Sequence, residues 1–376
     1  MAGIYLHIPF CAQACHYCDF HFSTNTDLKT ALVHAMGEEI VLQRNYLRSK
    51  GVDTIYFGGG TPSLLDQSEL SYLLEVIHNV YQVAENVEIT LEANPDDMSL
   101  EHLTGFKDVG INRLSIGIQS FDDKILRYLN RLHTGEIAIR SVELARQAGF
   151  RNISIDLIYA IPGLSSNAWR KDIAQAIAFN PEHISAYSLT IEEKTVFGNL
   201  LAKGKLSSVD ESLAAEQLEI LMEVMRNAGY DQYEISNFAR PDFESRHNSS
   251  YWKGDEYLGI GPSAHSYNQT TRQHNVRNNF QYVRSLKGKI IPCEMEILTE
   301  EDHINEYILT TLRTGQGCNV EKLKKDFGYD LLTLHGGYID VLKTHKLITM
   351  QNKFLILTEH GRLLADKISS DLFLIK

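Results

Sequence analysis

From Gly3 to about Thr190, short apolar runs alternate with longer stretches whose apolar positions recur at helical spacing. The runs "GIYLHI" (3–8), "DTIYFG" (53–58), "VEITLE" (87–92), "NRLSIGI" (112–118), "NISIDLI" (152–158) and "HISAYSL" (183–189) predict strands. Between them, "TALVHAMGEEIVLQRNYLRS" (30–49) and "TGEIAIRSVELARQAGF" (134–150) predict helices, the second closing on Ala-Gly-Phe, a glycine C-cap signature. Strand–helix alternation builds a parallel sheet with helices packed outside it. Six such units fall two short of a closed eight-fold barrel, so an open, partial barrel is the first expectation and a doubly wound sheet the second. In both, ligands sit at the carboxyl ends of the strands. Cys11, Gly58–Thr61, Glu92, Gln119 and Asp156 all fall at or just past predicted strand ends.

The rhythm changes after Thr190. A helix near 211–228 leads to "YDQYEISNFAR" (230–240) and a polar, aromatic-rich stretch to about Asn279. Then come 299–314, 319–327, 331–348 and 353–368, read as three helices and a hairpin of winged-helix type. The expected division is a core domain over 1–235 and a C-terminal unit over 236–376, with 236–298 as the polar, aromatic segment and 299–376 as the winged-helix-like α+β part. Acidic residues interleaved in that last part favour a packing surface over DNA contact.

Charge and cysteine usage narrow the field. With 48 acidic and 36 basic residues the net charge is −12, which supplies no basic field for nucleic-acid phosphates. The start "MAGIYLHIPF" lacks the charged head and long apolar run of a signal peptide, and no run reaches membrane-spanning length. Five cysteines, three of them crowded together, do not resemble a secreted disulfide framework. A cytoplasmic location is expected.

The crowded three are Cys11, Cys15 and Cys18 in "FCAQACHYCDF", spaced C-x3-C-x2-C just after the first strand. Zinc would need a fourth ligand, and His7, His16 and His21 are near enough in sequence to offer one. A cubane iron–sulfur cluster suits three thiolates in one loop better, because each iron takes its own thiolate and one iron stays open. The turn "FGGGTPS" (57–63) has Ser63 where a dinucleotide fingerprint needs its third glycine, and it lacks the lysine of a P-loop.

The cysteine spacing, with aromatic Tyr17 before the last thiol, resembles that of the radical S-adenosylmethionine (SAM) proteins. The resemblance implies a [4Fe-4S] cluster whose free iron is chelated by the amino and carboxylate groups of SAM. It also implies that the glycine-rich turn meets the SAM amino group, where a backbone without side chains can approach closely. "GIYLHIPFC", "FGGGTPSLL", "LEANPDD", "RLSIGIQSFDD" and "IDLIYAIPG" further resemble the branch that holds oxygen-independent coproporphyrinogen III dehydrogenase and its heme-chaperone relatives. By that resemblance Tyr5, Tyr17, Gly59, Gly60, Thr61, Glu92, Gln119, Arg131 and Asp156 fall at SAM-contact positions. Glu92 and Asp156 would accept hydrogen bonds from ribose hydroxyls or an amine, and Arg131 would hold a carboxylate.

Two features separate the relatives. The dehydrogenase carries a fourth cysteine two positions after the third, where this chain has Phe20. The chaperones carry H-N-x-x-Y-W, present as "HNSSYW" (247–252). The resemblance implies His247 as an axial heme ligand, with Tyr251 and Trp252 beside the porphyrin and His265 as a second candidate ligand. The function expected is a heme chaperone that passes heme to a respiratory acceptor protein; the alternative is oxidative decarboxylation of coproporphyrinogen III. The resemblance leaves room for peripheral membrane contact and for a homodimer.

Overall fold

A computed structural model describes residues 2–375. Six strands, β1 (Ala2–Ile8), β2 (Gly51–Gly59), β3 (Gln82–Ala93), β4 (Arg113–Gln119), β5 (Ile153–Tyr159) and β6 (His183–Ser188), lie parallel, each beside its neighbour in sequence. With helices between them they form the expected partial barrel. Beyond β6 the sheet adds β7 (Asp231–Glu234) and β8 (Asn237–Ala239), both in antiparallel pairings. On the other side β9 (Glu256–Ile260) runs parallel to β1, followed by antiparallel β10 (His265–Tyr267), β11 (Thr271–Asn275) and β12 (Cys293–Ile297). The polar segment 236–298 therefore supplies five strands to the main sheet.

Period-two alternation sorts the barrel strands into two faces. Ile4, Leu6, Ile55, Phe57, Leu91, Leu114, Ile116, Ile155 and Ile184 are fully buried in the main apolar core, which packs the sheet against its helices. The alternate positions are mostly polar: Tyr5, Tyr56, Glu92, Ser115, Asp156 and Ser185 stand on the other face, one per strand from β1 to β6. Apolar burial of about 25 cal/mol per Å2 holds the outer layer together, which leaves the inner face free to carry chemistry.

The helices between strands start on side-chain caps. Asp66 and Glu69 form a reciprocal capping box for helix Gln67–Val80, and Thr134 caps Gly135–Gln147. The predicted helix over 30–49 is shorter, Lys29–Leu42. A second core, from Ile304 to Leu372, belongs to the C-terminal unit. There helices Glu300–Leu312, Val320–Phe327 and Gly336–Thr344 precede the hairpin of β14 (Ile348–Gln351) and β15 (Phe354–Leu357), which β13 (Cys318–Asn319) joins as a third strand. Among the described residues, no helix is long and apolar enough to cross a membrane.

Candidate cofactor site at the strand ends

The cysteine loop leaves β1 and folds back over the carboxyl ends of the strands. The Cys11 amide donates to Ser23 O, and the Ser23 amide to Pro9 O, which fixes the loop's base. Its crown is pinned to the turn after the helix Asp123–Tyr128: the His16 amide donates to Leu129 O, Gln13 Nε2 to Asn130 O and Asn130 Nδ2 to Ala14 O. Asn130 takes a left-handed backbone (φ 62°) to make that turn. The crown of the loop is thus held by residues more than 110 positions away.

All three thiols line one cavity of about 520 Å3, within the usual size of a small-ligand site. Tyr17, Gly59, Gly60, Thr61, Glu92, Gln119, Arg131 and Asp156 line it with them. Tyr5 and His247 do not: Tyr5 sits deeper on the inner face, its hydroxyl 3.1 Å from His7 Nδ1 and its ring stacked on Tyr56. Asn94, Ser115, Ser185 and Tyr187 are lining residues that the sequence did not single out, and Asn248, the second residue of the H-N-x-x-Y-W motif, lines the cavity as well. Of these, Asn94 was within reach, two residues past Glu92 at a strand end. Asn248 comes from a helix that only the tertiary fold brings under the barrel.

The glycine turn after β2 is required sterically. A Cβ on Gly60 would stand 2.7 Å from Phe10 O and 3.0 Å from Cys11 Sγ; one on Gly59, at φ +106°, would meet His7 Nδ1 at 2.6 Å. Gln119 also has positive φ (69°), where the β4–β5 register shifts, so a bulge aims its side chain at the cavity rim.

Two carboxylates face the cavity from the inner face. Glu92 accepts from Tyr56 OH at 2.7 Å and from the Gly59 amide at 3.2 Å; burial pushes its carboxyl up to about 7. Asp156 accepts from Ser115 Oγ at 3.0 Å and Ser154 Oγ at 3.2 Å, and burial raises its carboxyl above the ordinary range. Both retain acceptor capacity toward the cavity.

The donor set fits a cluster better than a single ion. Among the described residues, no three His, Cys, Asp or Glu side chains converge tightly enough to hold one metal. The thiols instead border the cavity separately, as one thiolate per iron requires. His7, His16 and His21 are engaged elsewhere. His7 Nε2 pairs with His21 O at 2.8 Å, His16 Nδ1 with Tyr128 O at 3.1 Å and His21 Nε2 with Asn279 Oδ1 at 2.8 Å, and none of the three lines the cavity.

The second motif lies at the opposite, amino end of the strands. Helix Arg246–Lys253 is capped by Ser245 at its start and by left-handed Gly254 at its end. The amides of Arg246 and His247 donate to the Glu88 carboxylate of β3 at 3.1 and 3.0 Å. His247 is 1% exposed; Nδ1 pairs with Thr54 Oγ1 at 2.8 Å and Nε2 with Tyr251 OH at 2.9 Å. Its ring stacks on Tyr56 at 5.0 Å, and burial pushes its pKa down to about 3, so the imidazole is neutral. Neither ring nitrogen is free for iron in this conformation. Trp252 lies under the Arg313 guanidinium, and His265 is exposed on β10 beside His274.

Comparison with known proteins now adds to this geometry. A radical SAM superfamily profile matches residues 5–176, and a HemN C-terminal domain profile matches 298–364. The heme chaperone HemW of Bacillus subtilis is 36% identical over 371 residues, 98% of each chain. The chain belongs to the HemW family of radical SAM proteins. Family members from Lactococcus lactis (35% identity; 95% of this chain, 93% of the relative) and Escherichia coli (36%; 70% and 69%) agree. Among solved structures, the coproporphyrinogen III oxidase HemN of Escherichia coli superimposes with a TM-score of 0.84 over 99% of this chain and 90% of that one, at 22% identity, and so shares the fold. Membership of the radical SAM superfamily implies SAM and a [4Fe-4S] cluster, and the strand-end cavity has a donor set suited to both. Cys11, Cys15 and Cys18 border that cavity together.

Proposed function

We propose that this protein is a heme chaperone: it binds heme, carries a SAM-ligated [4Fe-4S] cluster in the strand-end cavity, and delivers heme to an acceptor protein of respiration. The observation that carries the reading is identity above 30% along nearly the whole chain to proteins named heme chaperones. Phe20 supports it. That side chain lines the cavity and is 68% exposed, at the position where the dehydrogenase branch has its fourth cysteine. Unpaired thiols at all five cysteines suit a reducing cytoplasm.

His247 is the proposed axial ligand, and its present hydrogen bonds define what ligation requires. Nε2 must release Tyr251, or Nδ1 must release Thr54, with movement of the helix Arg246–Lys253 out of the barrel end. His265, already exposed, is the competing ligand. Titration of the purified protein with hemin is expected to give a Soret band that weakens in His247→Ala and not in His265→Ala. An unchanged band in both variants would remove His247 and His265 as heme ligands. The alternative activity is tested anaerobically: reconstituted protein, SAM, a reductant and coproporphyrinogen III should yield no protoporphyrinogen, and its appearance would replace chaperone with dehydrogenase.

A further inference from the structure

One guanidinium reaches two of the three cysteines, by one direct and one relayed path. Arg131 Nη1 donates to Cys15 Sγ at 3.5 Å. Its Nη2 donates to Asn94 Oδ1 at 2.7 Å; Asn94 Nδ2 donates to Thr61 Oγ1 at 3.0 Å, and the Thr61 hydroxyl donates to Cys11 Sγ at 3.4 Å. The directions are forced. Arg131 has only donors, so the amide oxygen of Asn94 must face it; the NH2 then faces Thr61, whose own proton is left for the sulfur. Every link points from the cation toward the thiol. Cys18 lies outside this relay.

We infer that Asn94 is a positioning residue that couples Arg131 through Thr61 to Cys11, and so helps to set the reduction potential of the cluster those cysteines hold. The inference rests on the reading that Cys11, Cys15 and Cys18 bind a [4Fe-4S] cluster. Hydrogen bonds to ligand sulfur withdraw charge and favour the reduced form, and aligned donors polarise one another. Bracing of the turn does not need the amide, because Ser63 Oγ already accepts from the Asn94 backbone N–H at 3.3 Å. Thr61 and Arg131, expected from the family resemblance to meet SAM, have these thiol bonds in addition to their place on the cavity wall.

Asn94→Asp tests the relay. A carboxylate still accepts from Arg131 but has no proton for Thr61, whose hydroxyl then turns toward the carboxylate and leaves Cys11. Thr61→Val, close in shape, removes the same terminal bond without adding charge. The readout is the midpoint potential of the anaerobically reconstituted cluster, followed by EPR during redox titration without SAM. Both variants are expected to titrate negative of the wild type, and the double variant to shift by less than the sum of the two, since both remove one bond. Variants that load iron fully and titrate at the wild-type potential, or shifts that add fully, would overturn the relay alone. Failure of the wild-type chain to load a cluster would instead overturn the reading of the cysteine loop, and the relay with it.

Discussion

The two ends of the barrel carry the two motifs that mark this family, and they are built oppositely. At the carboxyl end, half-buried side chains from five strand ends and a long loop face a cavity with hydrogen-bonding capacity to spare. At the amino end, His247 is enclosed, and both of its nitrogens and the amide that carries it have partners. One end is ready for a ligand, whereas the other is closed around its own residues. A motif therefore identifies residues worth testing, but the packing around it decides whether they can act without a conformational change.

The largest predicted effect concerns the open end. Anaerobic reconstitution should give about four irons per chain, and Cys11→Ala, Cys15→Ala or Cys18→Ala should abolish loading. Cys293→Ala and Cys318→Ala should leave it intact, because those thiols lie on β12 and β13, away from the cavity. Iron analysis with the absorption spectrum decides it. Loading that survives loss of any one loop cysteine would remove the difference between the ends.

His247→Ala tests the closed end. It leaves Thr54 and Tyr251 without their partner inside the barrel and opens a void against Tyr56. A loss of about 2–4 kcal/mol is expected, read by urea unfolding of the heme-free protein. A variant as stable as the wild type would show that this end is as loosely held as the rim.

The contrast also explains what could be read from the chain. Strand ends are local: an apolar run followed by Gly59–Thr61, Glu92 or Gln119 places those residues near the rim, although the bulge that aims Gln119 is not written in the pattern. Tyr5 shows the limit. It was expected among the SAM contacts, but it sits on the inner face beneath the rim, because depth along a strand depends on where the cavity floor lies. The environment of His247 was less legible still. Its partners Thr54 and Glu88 lie 193 and 159 residues away, and no periodicity in the segment 236–298 announces that its helix closes the barrel.

A smaller effect separates binding from stability at the rim. Glu92, pushed up to about 7, must be ionised to accept from a ribose or an amine at full strength. SAM affinity of the reconstituted protein, measured by calorimetry, should therefore fall about tenfold between pH 8 and pH 6. Glu92→Gln should bind weakly at both. An affinity that is flat with pH in the wild type would take Glu92 out of the SAM site.

Glu39 gives the matching test away from the cavity. It is wholly enclosed, accepts from the Gly261 amide at 2.9 Å, Asn275 Nδ2 at 2.7 Å and the Tyr282 hydroxyl, and burial pushes it from 4.5 to about 7. The folded state then holds a proton that the unfolded chain releases near pH 4.5, so folding takes up a proton between those values. Stability from this group is greatest below about pH 4.5, declines as pH rises toward 7, and levels off above it. The decline is on the order of 2 kcal/mol at 1.4 kcal/mol per pKa unit, allowing for relaxation around the charge. Glu39→Gln cannot ionise, so the difference in melting temperature between pH 5 and pH 8 should shrink in the variant, whatever its absolute stability. SAM affinity should keep its wild-type pH dependence in Glu39→Gln, because this carboxylate ties the helix behind β1 to the β9–β11 edge and does not line the cavity. If instead the affinity profile flattened with the melting profile, the enclosed and the cavity-facing carboxylates would be coupled, and the division between supporting and ligand-facing layers would fail.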